Sequence, residues 1–183
     1  MTENHDGRRV RMTKRLMKDA LLELLEQKEL VSISVTSICE AADVHRSSFY
    51  KYYTNPADLL QEIERDILER IPVPPESLDQ QSEKSFLAVM TAFFDFVRQN
   101  EKAFCVLLGG TTGDCFASRL VEYLCRGFIS VDGEPDESSE RFIRLYIANG
   151  TVGMLREWVS TGFPISSERI AGMMYSLSKK VVS

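Results

Sequence analysis

The chain has 183 residues, of which 44% are apolar and 27% charged, and a net charge of −5 at pH 7, a composition typical of a folded soluble protein. It contains no apolar run near the roughly 18 residues that span a bilayer, and no apolar stretch follows the basic N-terminus, which argues against a membrane span and a secretory signal. Four scattered cysteines and two histidines lack the close spacing of zinc ligands, so we expect buried thiols, no metal site and a cytoplasmic location.

Charge is unevenly distributed along the chain. Residues 1–60 hold nine basic and nine acidic residues, whereas residues 61–183 hold thirteen and eighteen. Six basic residues and no acidic residue lie between Arg8 and Lys18, both ends included. Such an asymmetry indicates a protein with one end that faces an anionic partner.

Apolar spacing in the N-terminal third predicts one longer helix followed by short ones. The first helix should extend from about Val10 to near Lys28, with a buried face of residues at three-and-four spacing. These residues are Leu16, Met17, Ala20, Leu21, Leu24 and Leu25. A short second helix should follow Ser34, whose hydroxyl can cap the N-terminus, and it should bury Ile38 and Ala42.

A tight break at residues 42–44 separates this helix from a third, which should restart near His45. A fourth helix should begin at the sequence NPADLL, because Asn55 can cap it and Pro56 suits the first helical position. It should stop before the proline-rich segment 71–77, which is the best candidate for a domain boundary.

Beyond that segment the apolar pattern predicts five further helices. Their approximate bounds are 83–100, 101–108, 114–128, 137–161 and 167–181. No segment shows the convincing alternation of a strand. The sequence therefore predicts an all-α protein.

Two short helices joined by a tight turn, with a longer helix before them, predict a helix-turn-helix unit whose second short helix enters a DNA major groove. On a helical wheel Phe49 and Tyr53 share the inner face, which leaves cations, hydroxyls and phenols outside. Arg46 can pair with guanine or phosphate, and Lys51 suits a phosphate. The candidate DNA-binding residues are Thr36, His45, Arg46, Ser47, Ser48, Tyr50, Lys51 and Tyr52. The alternative is an ordinary solvated helix face.

Residues 8–60 resemble the N-terminal domain of TetR-type (TetR/AcrR) transcriptional regulators. The segment that carries the resemblance is VTSICEAADVHRSSFYKYYTNPADLL, in which the order of apolar, small, basic and aromatic residues matches the family. The resemblance implies a bacterial, sequence-specific DNA-binding regulator that acts as a homodimer on a palindromic operator. It also implies a helical C-terminal domain that forms the dimer and often encloses an effector pocket. The frequency of repressors in the family favours a ligand-responsive repressor over an activator.

Two positions depart from the family pattern. Asp43 occupies the turn where the family usually has glycine, and aspartate tolerates left-handed backbone well enough to keep the turn. Pro56 stands where the family usually has a lysine that touches phosphate, so we expect one phosphate contact to be missing. Basic residues ahead of the first helix could offset that loss, namely Arg8, Arg9, Arg11 and Lys14.

The C-terminal two-thirds resemble, more loosely, a branch of the family that includes the activator of dihydroxyacetone kinase genes. The segments that carry this resemblance are FFDFVRQNEKAFCVLL and YIANGTVGMLREWVSTGFP. Gly150 and Gly153 interrupt an apolar helix there, which indicates close helix approach at a dimer interface or room for a ligand. The candidate residues of the dimer interface or effector pocket are Phe93, Tyr123, Tyr146, Asn149, Gly150, Met154 and Trp158. Aromatic residues in this region are more often simply core.

An enzyme is a competing class that the sequence argues against. The segment LLGGTTGD lacks the Gly-Lys-Ser/Thr ending of a phosphate-binding loop and follows no strand. The residues suggest no pairing of a nucleophile with a histidine, so we expect neither catalysis nor a cofactor. The other alternative is a TetR-like protein-interaction module or co-regulator with weak or no DNA binding, which Pro56 and the acidic C-terminal body favour.

These patterns together predict three parts of the chain. Residues 1–55 should form the helix-turn-helix DNA-binding domain, residues 56–77 a connecting helix and linker, and residues 78–183 the dimerisation and effector-binding domain. The expected partners are double-stranded DNA and a second copy of the chain, with a small-molecule effector of unknown identity as a further candidate and no membrane.

Overall fold

The computed structural model describes residues 3–72, 82–110, 113–127 and 137–182. Within these ranges all regular structure is helical, which confirms the predicted all-α fold. The chain divides into two compact units, Met1–Glu69 and Arg70–Ser183. Most of the predicted proline-rich boundary, from residue 73 onward, lies outside the described residues.

Four α-helices and a 3₁₀ turn occupy the N-terminal part of the chain. They are α1 (Glu3–Leu25), the 3₁₀ turn (Leu30–Ser32), α2 (Val35–Ala41), α3 (Arg46–Phe49) and α4 (Pro56–Arg70). Helix α2 packs against α1 and α3. The side chains that are fully buried here are Met17, Leu21, Ile38, Phe49 and Leu59. Each contributes roughly 1.5–3 kcal/mol of apolar burial, which holds the short helices in place.

Both ends of α1 differ from the prediction. The helix starts at Glu3 instead of Val10, because a polar segment can extend a helix without adding to its apolar stripe. It ends at Leu25 instead of near Lys28. The Lys28 backbone N–H still donates a hydrogen bond to the Leu24 carbonyl, at 3.0 Å. The basic residues at the front of the chain therefore lie within α1, and the expectation that they precede it was wrong.

The buried face of α1 is narrower than predicted. Met17, Ala20 and Leu21 are buried, as the spacing indicated, but Leu16 is 41% exposed. Leu16 lies one residue before Met17, so it is rotated by about 100° away from the Met17–Leu21 stripe. Met12, four residues earlier on the same side, is also exposed.

Five helices follow in the second unit, with bounds within two residues of those predicted. They are α5 (Glu83–Gln99), α6 (Glu101–Leu108), α7 (Gly113–Gly127), α8 (Glu137–Ser160) and α9 (Ser167–Val182). Helix α5 packs along α9, while α7 packs against α6 and α8. The sequence placed these helices well because apolar residues recur along each of them at helical spacing.

Aromatic side chains fill the core of this unit. Phe93, Phe94, Phe104 and Phe116 are fully buried, which confirms that they serve as core. Trp158 meets Phe94 edge-on, with ring centroids 5.2 Å apart, and its indole N–H donates to a backbone carbonyl at 2.9 Å. A buried indole needs such an acceptor, because an unpaired donor would lose its hydration without replacement.

The prediction of buried thiols was wrong for most of the cysteines. Cys39 is buried, but Cys105 and Cys115 are exposed and Cys125 is partly exposed. Cys105 lies between buried residues of the strongly apolar α6, yet it occupies the solvent-facing position of that helix. Composition indicates how often cysteine is buried, whereas the helical register decides each case.

Candidate nucleic-acid interface

Helix α2 begins with a reciprocal cap. Ser34 Oγ accepts a hydrogen bond from the Ser37 backbone N–H at 3.0 Å, and the Ser37 hydroxyl oxygen accepts from the Ser34 backbone N–H at 3.2 Å. The predicted cap is therefore confirmed. The pair fixes the first turn of α2, which carries the candidate residue Thr36, a partly exposed side chain.

A left-handed residue joins α2 to α3. Asp43 has a φ of 51°, in the region where glycine is favoured, which confirms that aspartate keeps the turn. The turn is closed by the Val44 backbone N–H, which donates to the Cys39 carbonyl at 3.0 Å. It directs the chain from the end of α2 into α3, as a helix-turn-helix unit requires.

Helix α3 turns one face inward and the other to solvent. Phe49 is completely buried and Tyr53 is 3% exposed, with ring centroids 5.5 Å apart. The predicted inner face is thus confirmed. The exposed candidate residues are His45, Arg46, Ser47, Tyr50 and Lys51, while Ser48 and Tyr52 are partly exposed. Cations, hydroxyls and a phenol are therefore accessible to solvent within this short segment.

The start of α4 is also capped as predicted. Asn55 Oδ1 accepts from the Asp58 backbone N–H at 3.0 Å. In return, Asp58 Oδ2 accepts from the Thr54 backbone N–H and the Thr54 hydroxyl, both at 2.9 Å. The hydrogen bonds from Thr54 hold the pKa of the Asp58 carboxyl below its usual value. Pro56, the first residue of α4, offers no N–H donor and no charge at this point.

A cluster of ion pairs joins α1 to α4 within the first unit, and we call it the α1–α4 ion-pair cluster. Lys14 Nζ lies 3.0 Å from Glu62 Oε2 and Lys18 Nζ lies 2.7 Å from Glu62 Oε1. Lys18 Nζ also lies 2.5 Å from Asp66 Oδ2. The sequence analysis missed this cluster, although lysines at i and i+4 on one helix and acids at i and i+4 on another are the available signal.

Charge in the cluster is strongly coupled. Burial alone would oppose ionisation of Glu62, but the hydrogen bonds and positive charges of Lys18 and Lys14 lower its pKa to about 2. The buried Tyr53 hydroxyl lies near this carboxylate, and burial together with that negative charge raises the pKa of Tyr53. The hydroxyl has no hydrogen-bond partner of good geometry, although it lies close enough to the Glu62 carboxylate for that group to contribute to the pKa shift.

Lys14 therefore has a different environment from the one expected. It is not a free cation ahead of the first helix; it lies within α1, paired with Glu62 and over the rings of Tyr52 and Tyr53. The three arginines that were considered with it are exposed on α1: Arg8, Arg9 and Arg11.

In the second unit, a groove of about 780 Å³ runs along α8 and α9. Four of the seven candidate pocket residues line it: Tyr146, Asn149, Gly150 and Met154. The other three lie elsewhere, since Phe93 and Trp158 are core residues and Tyr123 is a partly buried residue of α7. Leu177, which the sequence places on the apolar face of the last helix, also lines the groove, whereas sequence reasoning missed Phe142; both apolar side chains are largely exposed.

The two glycines of α8 open onto free space. A Cβ atom built at Gly150 or Gly153 would meet no atom of the chain within 4 Å. Close packing within the described part of the chain therefore does not account for either glycine.

Comparison with known families decides the identity of the second unit. A TetR-type model described as a transcriptional regulator C-terminal region matches residues 84–180, more than half of the chain. The chain belongs to the TetR family of transcriptional regulators. A comparison with curated proteins found no significant match.

Solved structures of TetR-family regulators share this fold. A TetR regulator from Streptococcus agalactiae 2603V superposes with a TM-score of 0.68 at 19% identity, over 94% of this chain and 97% of the other. The dihydroxyacetone kinase operon activator DhaS gives a TM-score of 0.64 at 18% identity, over 93% and 96%. A TetR-family regulator from Syntrophomonas wolfei gives 0.65 at 19% identity, over 93% and 94%.

As in a TetR-family chain, the helix-turn-helix unit lies N-terminal to the region that the family model matches. Among the described residues, none of the helices is both long and apolar enough to cross a bilayer.

Proposed function

We propose that this chain is a sequence-specific DNA-binding regulator that reads an operator with α3, which we call the reading helix. The observation that carries the proposal is the division of its side chains: Phe49 and Tyr53 are buried, while Arg46, Tyr50 and Lys51 are exposed together. A solvated surface helix has no need to collect a guanidinium, a phenol and an ammonium on one short face.

The exposed groups have distinct tasks. Arg46, in the first turn of the reading helix, pairs with guanine O6 and N7 in the major groove. Tyr50 and Lys51 follow the helix and bind phosphate oxygens, which set its register on the duplex. The remaining candidates supply hydroxyls and an imidazole at the edges of this surface: Thr36, His45, Ser47, Ser48 and Tyr52.

The active form is a homodimer joined through α8 and α9. Phe142 is 72% exposed, Tyr146 65% and Leu177 53%, an unusual concentration of solvent-facing apolar side chains on two neighbouring helices. Open space over Gly150 and Gly153 leaves room for the backbone of a second copy. A two-fold dimer would place two reading helices roughly 34–36 Å apart, which fits successive major grooves of a palindrome.

A small-molecule effector is the proposed regulator of this dimer, acting as a ligand that favours one subunit arrangement over another. Its candidate contacts are the residues of the α8–α9 groove that the second copy leaves uncovered, with Asn149 and Tyr146 as polar groups in an apolar lining. We propose a cytoplasmic repressor without catalytic activity or cofactor. Because DhaS, a protein of similar fold, is an operon activator, a reporter assay should be scored for both signs of regulation.

The test is a titration of the full chain with its own upstream intergenic DNA and with scrambled DNA of equal length, followed by fluorescence anisotropy at several salt concentrations. We expect tighter binding to the upstream DNA and a steep loss of affinity with salt, as phosphate contacts require. Equal, feeble binding to both DNAs, repeated with fragments covering the genome, would overturn the proposal. That result would favour the protein-interaction module, to which the missing cation at Pro56 also points.

A further inference from the structure

The reading helix is too short to fix its own orientation. It contains four residues, Arg46–Phe49, and its N-cap residue His45 makes no side-chain capping bond. A single helical turn has few internal hydrogen bonds, so its direction must come from tertiary anchors. Phe49 and Tyr53 are the buried anchors on its inner face.

The second of these anchors, Tyr53, is held mainly by the packing of its ring. The Tyr53 ring is buried, and its hydroxyl makes no hydrogen bond of good geometry that would fix the ring by itself. Next to it, Tyr52 is partly exposed and meets Tyr53 edge-on at 6.3 Å. Both tyrosines belong to the segment of chain between the reading helix and α4.

Lys14 lies above both rings. Its Nζ atom is 5.4 Å from the Tyr52 ring centroid and 5.3 Å from the Tyr53 ring centroid, within the range of cation–π attraction. The same Nζ is 3.0 Å from Glu62 Oε2 on α4. One ammonium group thus connects the aromatic pair behind the reading helix to the carboxylate of the helix that follows.

Lys18 provides an internal comparison. It lies one turn further along α1 and also pairs with Glu62, at 2.7 Å, but its second partner is Asp66. Of these two lysines, Lys14 is the one that lies over tyrosine rings in the described part of the chain. A substitution of either residue removes one positive charge and one ion pair to Glu62.

We propose that Lys14 is a positioning residue for DNA reading, which fixes the direction of the reading helix by holding Tyr52 and Tyr53 against α4. It acts through the two rings and not as a phosphate contact. The inference rests on the proposed function, because direction matters only if α3 reads base pairs.

The test compares the full chain with its variants Lys14→Gln, Lys18→Gln and Lys14→Arg. Nuclear magnetic resonance of chains with ¹³C-labelled tyrosine rings reports the environments of Tyr52 and Tyr53. Anisotropy titrations give the affinities for the upstream DNA and for scrambled DNA. Circular dichroism checks that each variant is folded, and Lys14→Met serves if the glutamine variant does not fold.

We expect Lys14→Gln to shift the signals of both rings and to lower the ratio of specific to non-specific affinity about fivefold, as the loss of its cation–π contacts with the two rings implies. Lys18→Gln should leave the ring signals and the ratio unchanged, and Lys14→Arg should restore both. An equal fall in the ratio for the two glutamine variants would overturn the inference, because charge or stability alone would then explain it.

Equal weakening of both DNAs in Lys14→Gln would also overturn it, since that is the signature of a lost phosphate contact. If the unsubstituted chain shows no preference for any DNA, the proposed function fails separately. The ring signals still decide the positioning role in that case: a shift confined to Lys14→Gln supports it, and identical spectra overturn it.

Discussion

Lys18 Nζ and Glu62 Oε1 lie 2.7 Å apart, in an ion pair whose acid is only 16% exposed. The pair joins α1, the first helix of the N-terminal unit, to α4, the helix that follows the helix-turn-helix segment. Because solvent screens it weakly, its contribution to stability should be measurable, unlike that of most surface pairs.

Stability of the first unit should depend on the charge of Glu62. Its pKa falls from 4.5 to about 2 on folding, so the folded state favours the ionised form. The resulting stabilisation is present above pH 4.5 and is lost as the pH falls toward 2. It amounts to roughly 3 kcal/mol at most. The free energies of urea unfolding of the unsubstituted chain and Glu62→Gln should therefore differ clearly at pH 7 and by less than half as much at pH 3.

Glu69→Gln is the matched control for that measurement. Glu69 lies on the same helix, but its side chain is 68% exposed and pairs only loosely with Arg65, at 3.8 Å. Its replacement should change the free energy of unfolding by less than about 0.5 kcal/mol at either pH. A loss as large as that of Glu62→Gln would contradict the assignment.

The left-handed backbone at Asp43 predicts opposite effects on stability for two substitutions of this residue. Asp43→Gly should preserve or slightly raise the melting temperature, because glycine adopts a φ of 51° without strain. Asp43→Val should lower stability by about 1–2 kcal/mol, because a β-branched residue is strained there. Thermal unfolding followed by circular dichroism checks both variants, and a more stable valine variant would rule out strain at this turn.

Two substitutions on the reading surface should separate base reading from phosphate binding. Arg46→Ala should weaken binding to the operator by about 1–3 kcal/mol and relax the preference at particular base pairs. Lys51→Ala should weaken binding to all sequences evenly and reduce the salt slope by about one. Arg126→Ala, an exposed arginine of the second unit, serves as the control for charge alone. If neither Arg46→Ala nor Lys51→Ala changed DNA binding, the assignment of these residues to DNA contact would be wrong.

Dimerisation through α8 and α9 predicts a position-specific effect of charge. Leu177→Glu should convert the dimer to monomers in sedimentation velocity, because it places a carboxylate among apolar groups at the interface. Val31→Glu introduces the same charge at a side chain that is 91% exposed in the first unit and should leave the assembly unchanged. A Leu177→Glu dimer of unaltered stability would exclude this pair of helices as the interface.

The elements that could be predicted from the sequence are those whose causes are local. Ser34 and Asn55 cap helices through hydrogen bonds to residues three positions away, and Asp43 itself adopts the left-handed backbone that the turn requires. Phe49 and Tyr53 could be assigned inward because a spacing of four residues places them on one helical face.

The features that escaped prediction depend on distant partners. Lys14 pairs with Glu62 across 48 positions of sequence, and the four-residue spacing of charges on each helix does not by itself show that the two helices meet. The exposure of Cys105 and Cys115 depends on helical register against neighbouring helices, and so does the placement of Trp158 in the core. Burial of amphipathic or small residues is a property of packing, which spacing alone determines only in part.

The buried indole of Trp158 also gives the chain a built-in optical label. It is the single tryptophan, and it lies in the second unit beside Phe94 and Phe163. Its emission will therefore report the unfolding of the second unit and should respond little to the unfolding of the first unit. Three of the six tyrosines, at positions 50, 52 and 53, lie in that first unit instead. Unfolding followed by tryptophan fluorescence, excited at 295 nm, can be compared with unfolding followed by far-ultraviolet circular dichroism. Coincident transitions would show that the two units unfold in one step, and separate transitions that they unfold in succession.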